Sequence, residues 1–378
     1  MPHLDEALIG APDGARRLST PALVIDLGPF ERNIALMQAH CDRAGLKLRP
    51  HAKTHKSSAI ARRQIKAGAI GQCCAKLGEA EALAVAGVDG LLVTSPVVTP
   101  AAFARVARLN ASLDDFMIVA DSACCVEGYA GAAEASGRRL KVLIDVDIGL
   151  HRTGAQPGRP ALALARKVAD SPVLELAGLQ GYAGHLQHVA DFGERRGASV
   201  GALRLLAETR DAILGAGLPC PIVSGGGTGT FDIDAEAGVF TELQAGSYIF
   251  MDRQYRDVGG RNAATLPFET ALFVATTVIS APVSGMVTTD AGLKSFATEA
   301  GPPFIHSGAP AGARYFFFGD EQGGVAFGGE DTALALGSRL LCAAPHCDPT
   351  VNLYDFYHVI DGDQLVALWP IEARGRSA

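Results

Sequence analysis

The segment Leu48-Arg-Pro-His-Ala-Lys-Thr-His-Lys56 brings His51, Lys53, His55 and Lys56 close together. A lysine held among positive neighbours is expected to give up its proton more readily. The free amine is then a nucleophile toward carbonyls, which makes Lys53 the candidate. A solvated basic loop is the plain alternative, and other segments decide between the two.

Pro221-Ile-Val-Ser-Gly-Gly-Gly-Thr-Gly-Thr230 is a short apolar run followed by small residues. Backbone N–H groups in such a run converge on a phosphate, and the hydroxyls of Ser224 and Thr228 add donors. The run lacks the lysine of a nucleotide P-loop and the glycine spacing of a dinucleotide fold. A second small-residue turn, Gln244-Ala-Gly-Ser-Tyr248, follows the next apolar run. Phosphate beside an exposed lysine is the footprint of pyridoxal phosphate (PLP), which joins a lysine amine as a Schiff base.

In Pro345-His-Cys-Asp-Pro-Thr-Val-Asn352, an extended backbone would put His346 and Asp348 on one face and Cys347 on the other. A nitrogen and a carboxylate oxygen with open positions suit Mn²⁺, Mg²⁺ or Co²⁺, with water completing the shell. A polar turn is the alternative. His188, at the end of Gln180-Gly-Tyr-Ala-Gly-His-Leu-Gln-His188, is the candidate general base, with His185 its rival in the same loop. His3, His40, His306 and His358 show no partner pattern and read as surface or satisfied residues.

Elements must hold these groups in place. Strands are expected at Leu46–His51, Ala69–Cys73, Gly90–Val93, Asp115–Ala120, Leu140–Asp147, Leu176–Tyr182, Pro221–Ser224 and Phe240–Gln244. Their apolar runs lack clean alternation, as in strands buried on both faces. Helical segments lie between them: Pro29–Ala44, Ser57–Ala67, Leu77–Val85, Pro100–Leu109, Cys124–Ala135, Pro160–Asp170 and Val200–Ala216. The alternation predicts an α/β chain with a (β/α)₈ barrel over residues 27–255 and the candidate groups at its C-terminal mouth. A doubly wound sheet is the structural alternative. From 256 to 378, short runs separated by turns such as Asp361-Gly362-Asp363 predict an antiparallel β domain, which strand 20–26 is expected to join.

The chain is 48% hydrophobic and 19% charged with net charge −7, and it has no long basic run, which argues against nucleic acid. No apolar stretch reaches the ~18 residues of a membrane span. The start lacks a signal-peptide pattern, and eight cysteines without a disulfide framework fit a reducing compartment. A cytoplasmic protein is expected.

Together these segments resemble the D-threonine aldolase and D-serine dehydratase-like family of fold-type III PLP enzymes, related to alanine racemase. The likeness runs from Thr20-Pro-Ala-Leu-Val-Ile-Asp26 to Trp369-Pro-Ile-Glu-Ala-Arg-Gly375. Its most specific parts are the Lys53 motif, Gly225-Gly-Gly-Thr-Gly229, Leu243-Gln-Ala-Gly-Ser-Tyr248 with Met251-Asp252, and His346-Cys-Asp-Pro-Thr350. The resemblance implies a PLP barrel with a C-terminal β domain, a homodimer, and retro-aldol cleavage of D-3-hydroxy amino acids to glycine and an aldehyde. By motif, Lys53 resembles the Schiff-base lysine, Arg152 the arginine near the phenolic oxygen, and Tyr182 the residue facing the pyridine nitrogen. Gly226, Gly227, Thr228, Gly246 and Ser247 fall in the phosphate loops, His188 resembles the aldolase base, and His346 and Asp348 resemble the metal pair.

The dehydratase branch carries His-x-Cys and favours zinc. Asp348 therefore resembles the aldolases and a harder ion, Mn²⁺ first, with Cys347 beside the pair as an alternative ligand. Gln322 stands where relatives commonly show histidine. The alternatives are a D-serine or D-3-hydroxyaspartate dehydratase, a non-catalytic PLP-binding protein, and a phosphosugar-binding barrel. The preferred substrate side chain stays open among D-threonine, D-phenylserine and D-3-hydroxyaspartate.

Overall fold

The computed structural model describes residues 3–262, 264–328 and 334–378. Strand β1 (Ala22–Asp26) leads into α1 (Leu27–Ala44), which Asp26 caps by accepting from the Gly28 N–H and Gly45 ends in a left-handed turn. Eight parallel strands follow: β2 (Lys47–Leu48), β3 (Gln72–Cys74), β4 (Leu91–Val93), β5 (Phe116–Ala120), β6 (Leu140–Val146), β7 (Leu174–Gly181), β8 (Ile222–Gly225) and β9 (Glu242–Leu243). They pair in the order β2-β9-β8-β7-β6-β5-β4-β3, and a bridge between His51 and Cys73 joins the two ends. The sheet is closed, so the doubly wound alternative falls.

Both faces of these strands are buried. Cys73, Leu92, Met117, Val119, Leu143 and Ala177 cluster together, while their neighbours Cys74, Leu91, Val93, Ile118, Val142 and Ile144 belong to a separate core. Burial on both sides accounts for the unbroken apolar runs. The helices between strands are α2 (Ser58–Ala67), α3 (Leu77–Val85), α4 (Pro100–Ser112), α5 (Ala123–Ser136), α6 (Arg159–Ala169), α7 (Phe192–Gly215) and α8 (Phe231–Ala237). Helix α7 begins at Phe192 rather than the expected Val200. Asp191 caps it at 2.7 Å from the Glu194 N–H, whereas Gly193, Gly197 and Gly201 had lowered its apparent propensity.

After α9 (Arg253–Arg256) come β10 (Leu272–Val283), β11 (Met286–Thr289), β12 (Phe304–Ser307), β13 (Arg314–Phe317), β14 (Gly323–Ala326) and β15 (Arg339–Ala343). Helix α10 (Cys347–Val351) precedes the hairpin of β16 (Phe356–Asp361) and β17 (Gln364–Pro370). Strands β12 and β14 are each four residues long, and β14 opens on Gly323-Gly324, which weakens any strand pattern there. This second sheet runs β13-β14-β11-β10-β1-β16-β17, with β15 pairing β10 and β12. Strand β1 lies inside it, antiparallel to β10 and parallel to β16. His358 and His3 are satisfied residues, one of the two readings the sequence offered. His358 is buried with Nε2 3.1 Å from Asp5, and the His3 ring meets it edge-on at 5.1 Å.

Candidate functional site

The loops after the barrel strands enclose a cavity of about 480 Å³ lined by Lys53, Arg152, Tyr182, Gly226, Gly227, Thr228, Gly246 and Ser247, among others. Lys53 sits in a 3-10 turn, Ala52–Thr54, just past β2. His51 opens the turn: its Nδ1 accepts the Lys53 N–H at 3.4 Å and its Nε2 lies 3.2 Å from the Thr94 hydroxyl. Lys56 adopts φ +53°, rare for a side-chain-bearing residue, and its amine pairs with Glu79. Glu79 also accepts the Ala75 and Lys76 N–H groups, tying the loop after β3 to the lysine loop.

The amine of Lys53 lies 3.7 Å from Asp348 Oδ2. Burial pulls its pKa down, but the Asp348 carboxylate and Tyr182 more than offset this, and the net shift is upward. The expected lowering is therefore corrected. His55 and Lys56 are turned into separate buried contacts with Gln72 and Glu79, and the group facing the amine comes from the far end of the chain.

Opposite lies an anion cradle. The N–H groups of Gly226, Thr228 and Gly246 line the cavity with no acceptor among the described residues. Thr228 Oγ1 accepts from the Tyr248 N–H at 3.1 Å, leaving its proton free to donate. Thr54 adds a buried hydroxyl that has no partner among the described residues, beside Gly246. Asp234 braces the loop from below, its Oδ2 accepting from the Gly227 N–H and, at 2.6 Å, from Thr230. These unspent donors, in the same cavity as the Lys53 amine, fit a phosphate-bearing aldehyde such as PLP.

Ser224 is placed elsewhere. Its hydroxyl donates to Glu242 at 2.7 Å and accepts from Gln244 at 2.8 Å, and it does not line the cavity. It belongs to a buried polar chain across the barrel. Arg49 pairs with Glu242, both side chains 3% exposed, and Gln244 continues through Gln180 to Asp145.

Arg152 is aimed by the turn before it. His151 adopts φ +56°, and Asp147 accepts the N–H groups of Gly149 and His151 as well as facing the His151 ring at 2.7 Å. The Arg152 guanidinium lies 5.5 Å from the half-buried Tyr182 ring, and the Lys53 amine lies 6.0 Å from the same ring. Both line the cavity.

The C-terminal turn brings the metal candidates in. The segment is not extended: His346 N-caps α10, so Asp348 stands in the first helical turn. Asp348 Oδ1 is buried with no hydrogen-bond partner among the described residues, as a ligand oxygen awaiting a cation would be. Cys347 is fully buried, and burial pushes its thiol pKa far up; His346 and Asp348 make up the candidate set of nitrogen and oxygen donors. Asp252 holds the turn to the barrel, accepting the N–H groups of Cys347 and Tyr255 at 3.0 Å each.

His188 is not among the cavity-lining residues, but its ring lies 4.5 Å from that of Tyr255, which lines it. Partial desolvation and the charge of His346 lower its pKa, with Asp348 opposing. His185 instead neighbours the Gly149 turn. Thr54, Thr94, Gln244 and Tyr255 also line the cavity and went unnoticed from the sequence. Thr54, inside the Lys53 motif, and Gln244, which opens the Gln244–Tyr248 turn, carried a signal; Thr94 and Tyr255 did not.

The chain belongs to the alanine racemase N-terminal domain family, which matches residues 25–254; a putative serine dehydratase domain matches 271–360. Among particular proteins, it is 41% identical to D-threonine aldolase of Arthrobacter sp. across 97% of this chain and 95% of that one. It is 33% identical to 3-hydroxy-D-aspartate aldolase of Paracoccus denitrificans Pd 1222, across 100% and 95%. The crystal structure of D-threonine aldolase from Filomicrobium marinum superposes with TM-score 0.92 at 36% identity, covering 96% of this chain and 97% of that one. No helix among the described residues is long and apolar enough to cross a membrane.

Proposed function

We propose that this protein is a carbon–carbon lyase that cleaves D-3-hydroxy amino acids to glycine and an aldehyde, using PLP on Lys53 and a divalent ion on His346 and Asp348. One observation carries the reading: Asp348 sets its Oδ2 3.7 Å from the Lys53 amine while its buried Oδ1 has no hydrogen-bond partner among the described residues. A substrate joined where Lys53 stands would therefore present its β-hydroxyl to whatever Asp348 holds. The aldolase relatives at 41% and 33% identity support the same assignment.

When bound, PLP supplies an electron sink for the pair released at Cα, and the ion supplies Lewis acidity at the hydroxyl. The protein does the rest. The Gly226–Thr228 and Gly246–Ser247 loops anchor the phosphate end, with Thr54 a further donor. Arg152 neutralises anionic oxygen near Tyr182. Lys53 would hold PLP through its amine. A ring nitrogen of His188 takes the β-hydroxyl proton, the Cα–Cβ bond breaks, and a proton returned at Cα completes glycine. Mn²⁺ suits the nitrogen and oxygen donors, with water filling the remaining positions. A cytoplasmic homodimer with a barrel over 27–255 and a β domain over 256–378 completes the proposal.

Purified protein with PLP, Mn²⁺ and D-threonine tests it. Glycine with acetaldehyde, lost on adding a chelator, is the expected result. 2-Oxobutyrate with ammonia would overturn the aldolase reading in favour of dehydration.

A further inference from the structure

Candidate metal ligand His346 has a partner of its own. Its Nδ1 lies 2.6 Å from Glu299 Oε1, in the loop before β12. A carboxylate accepts and cannot donate, so Nδ1 must carry the proton in this contact. A neutral imidazole has only one N–H, which leaves Nε2 as a bare lone pair. The ring is also fixed from its backbone side. Thr350 donates to the His346 carbonyl at 2.7 Å and accepts the Ala297 N–H at 3.0 Å, binding the 297–299 loop to the start of α10.

We propose that Glu299 is the positioning residue of the metal site: it fixes the tautomer and angle of His346 so that Nε2 faces the ion. The inference rests on the proposed metal reading and extends it by a residue with no role so far. A carboxylate behind a ligand histidine also raises the basicity of the coordinating nitrogen. Glu299 is half-exposed, with 52% of its side chain in solvent. Water therefore shares its load, which places the effect on affinity for the ion rather than on folding. Glu299 does not touch substrate in this assignment, so turnover with the site saturated should barely change.

The test is Mn²⁺ binding to the PLP-loaded protein, read as loss of the free aqueous Mn²⁺ spin-resonance signal, with no turnover required. Losing an outer partner of a ligand histidine costs roughly 10–100-fold in metal affinity. Glu299→Ala is expected to weaken Mn²⁺ binding by that factor while kcat at saturating Mn²⁺ holds. Glu299→Gln keeps an acceptor oxygen and is expected to recover most of the affinity, a rescue that a merely structural role would not give. Wild-type affinity in Glu299→Ala, alongside lost binding in His346→Ala, would overturn the inference while leaving the metal site standing. Wild-type affinity in His346→Ala would overturn the metal site and the inference with it. A loss in Glu299→Gln as deep as in His346→Ala would make Glu299 a ligand and refute the positioning role.

Discussion

Exchanging Asp234 for asparagine tests the brace beneath the phosphate cradle. Asp234 is buried beside Gly227 and Thr230, and burial, only partly countered by their two hydrogen bonds, pushes its pKa up to about 7. In the unfolded chain the same carboxyl titrates near ~3.9. Below about pH 4 both states hold the proton, and the group's contribution to stability is fully present. As the pH rises toward 7 the unfolded chain ionises first, so stability falls, and the contribution is gone once the folded carboxyl also ionises. A difference of about 3 pKa units is worth on the order of 4 kcal/mol. Asparagine keeps an acceptor oxygen for the loop but does not titrate. Urea unfolding of wild type and Asp234→Asn across this range provides the assay. The variant should gain on wild type by several kcal/mol between about pH 4 and pH 8, most of it before pH 7. A stability difference that stays constant across the range would refute the burial argument.

Three further substitutions probe the rest of the site. His188→Ala should lower kcat roughly 10²–10⁴-fold, the worth of a positioned base, and near-wild-type kcat would remove His188 from that role. Arg49→Ala strands the buried Glu242 carboxylate and should cost about 3–5 kcal/mol in a denaturant titration. Gly229→Ala would place its Cβ 2.0 Å from the Gln187 carbonyl oxygen, so the loop must shift. A PLP titration should then show weakened cofactor binding.

Fold and site were legible to different depths. The eight barrel strands could be read because strands buried on both faces are continuous apolar runs, and glycine stops such as Gly45 mark helix ends. The three-glycine face of α7 hid its first turns, since propensity counts each glycine against a helix that tertiary packing nonetheless holds. Within the site, residues in short motifs were visible, because loops at a barrel mouth concentrate their chemistry locally. What could not be read was direction. Nothing in Pro221–Thr230 shows that Ser224 turns inward to Glu242, and nothing near Lys53 shows that Asp348 will face it. Glu299, in an unremarkable loop, gains meaning only from a contact 47 residues away.

The position of β1 between β10 and β16 also bears on how the chain comes to be folded. Leu23, Val24 and Ile25 are all at most 1% exposed in the finished molecule, yet they leave the ribosome long before their partners at Leu272–Ala275 and His358–Ile360. At about 5–20 residues per second, Val24 waits roughly 15–70 s for His358. All eight barrel strands are synthesised in that interval, so the barrel can close first. Meanwhile a short apolar strand with open edges trails from it, the kind of segment that pairs with whatever strand it meets. Chains cut short before β10 would keep both edges of that strand open for good, and those cut between β10 and β16 would keep one open; self-association of otherwise folded barrels is the expected fate of such fragments.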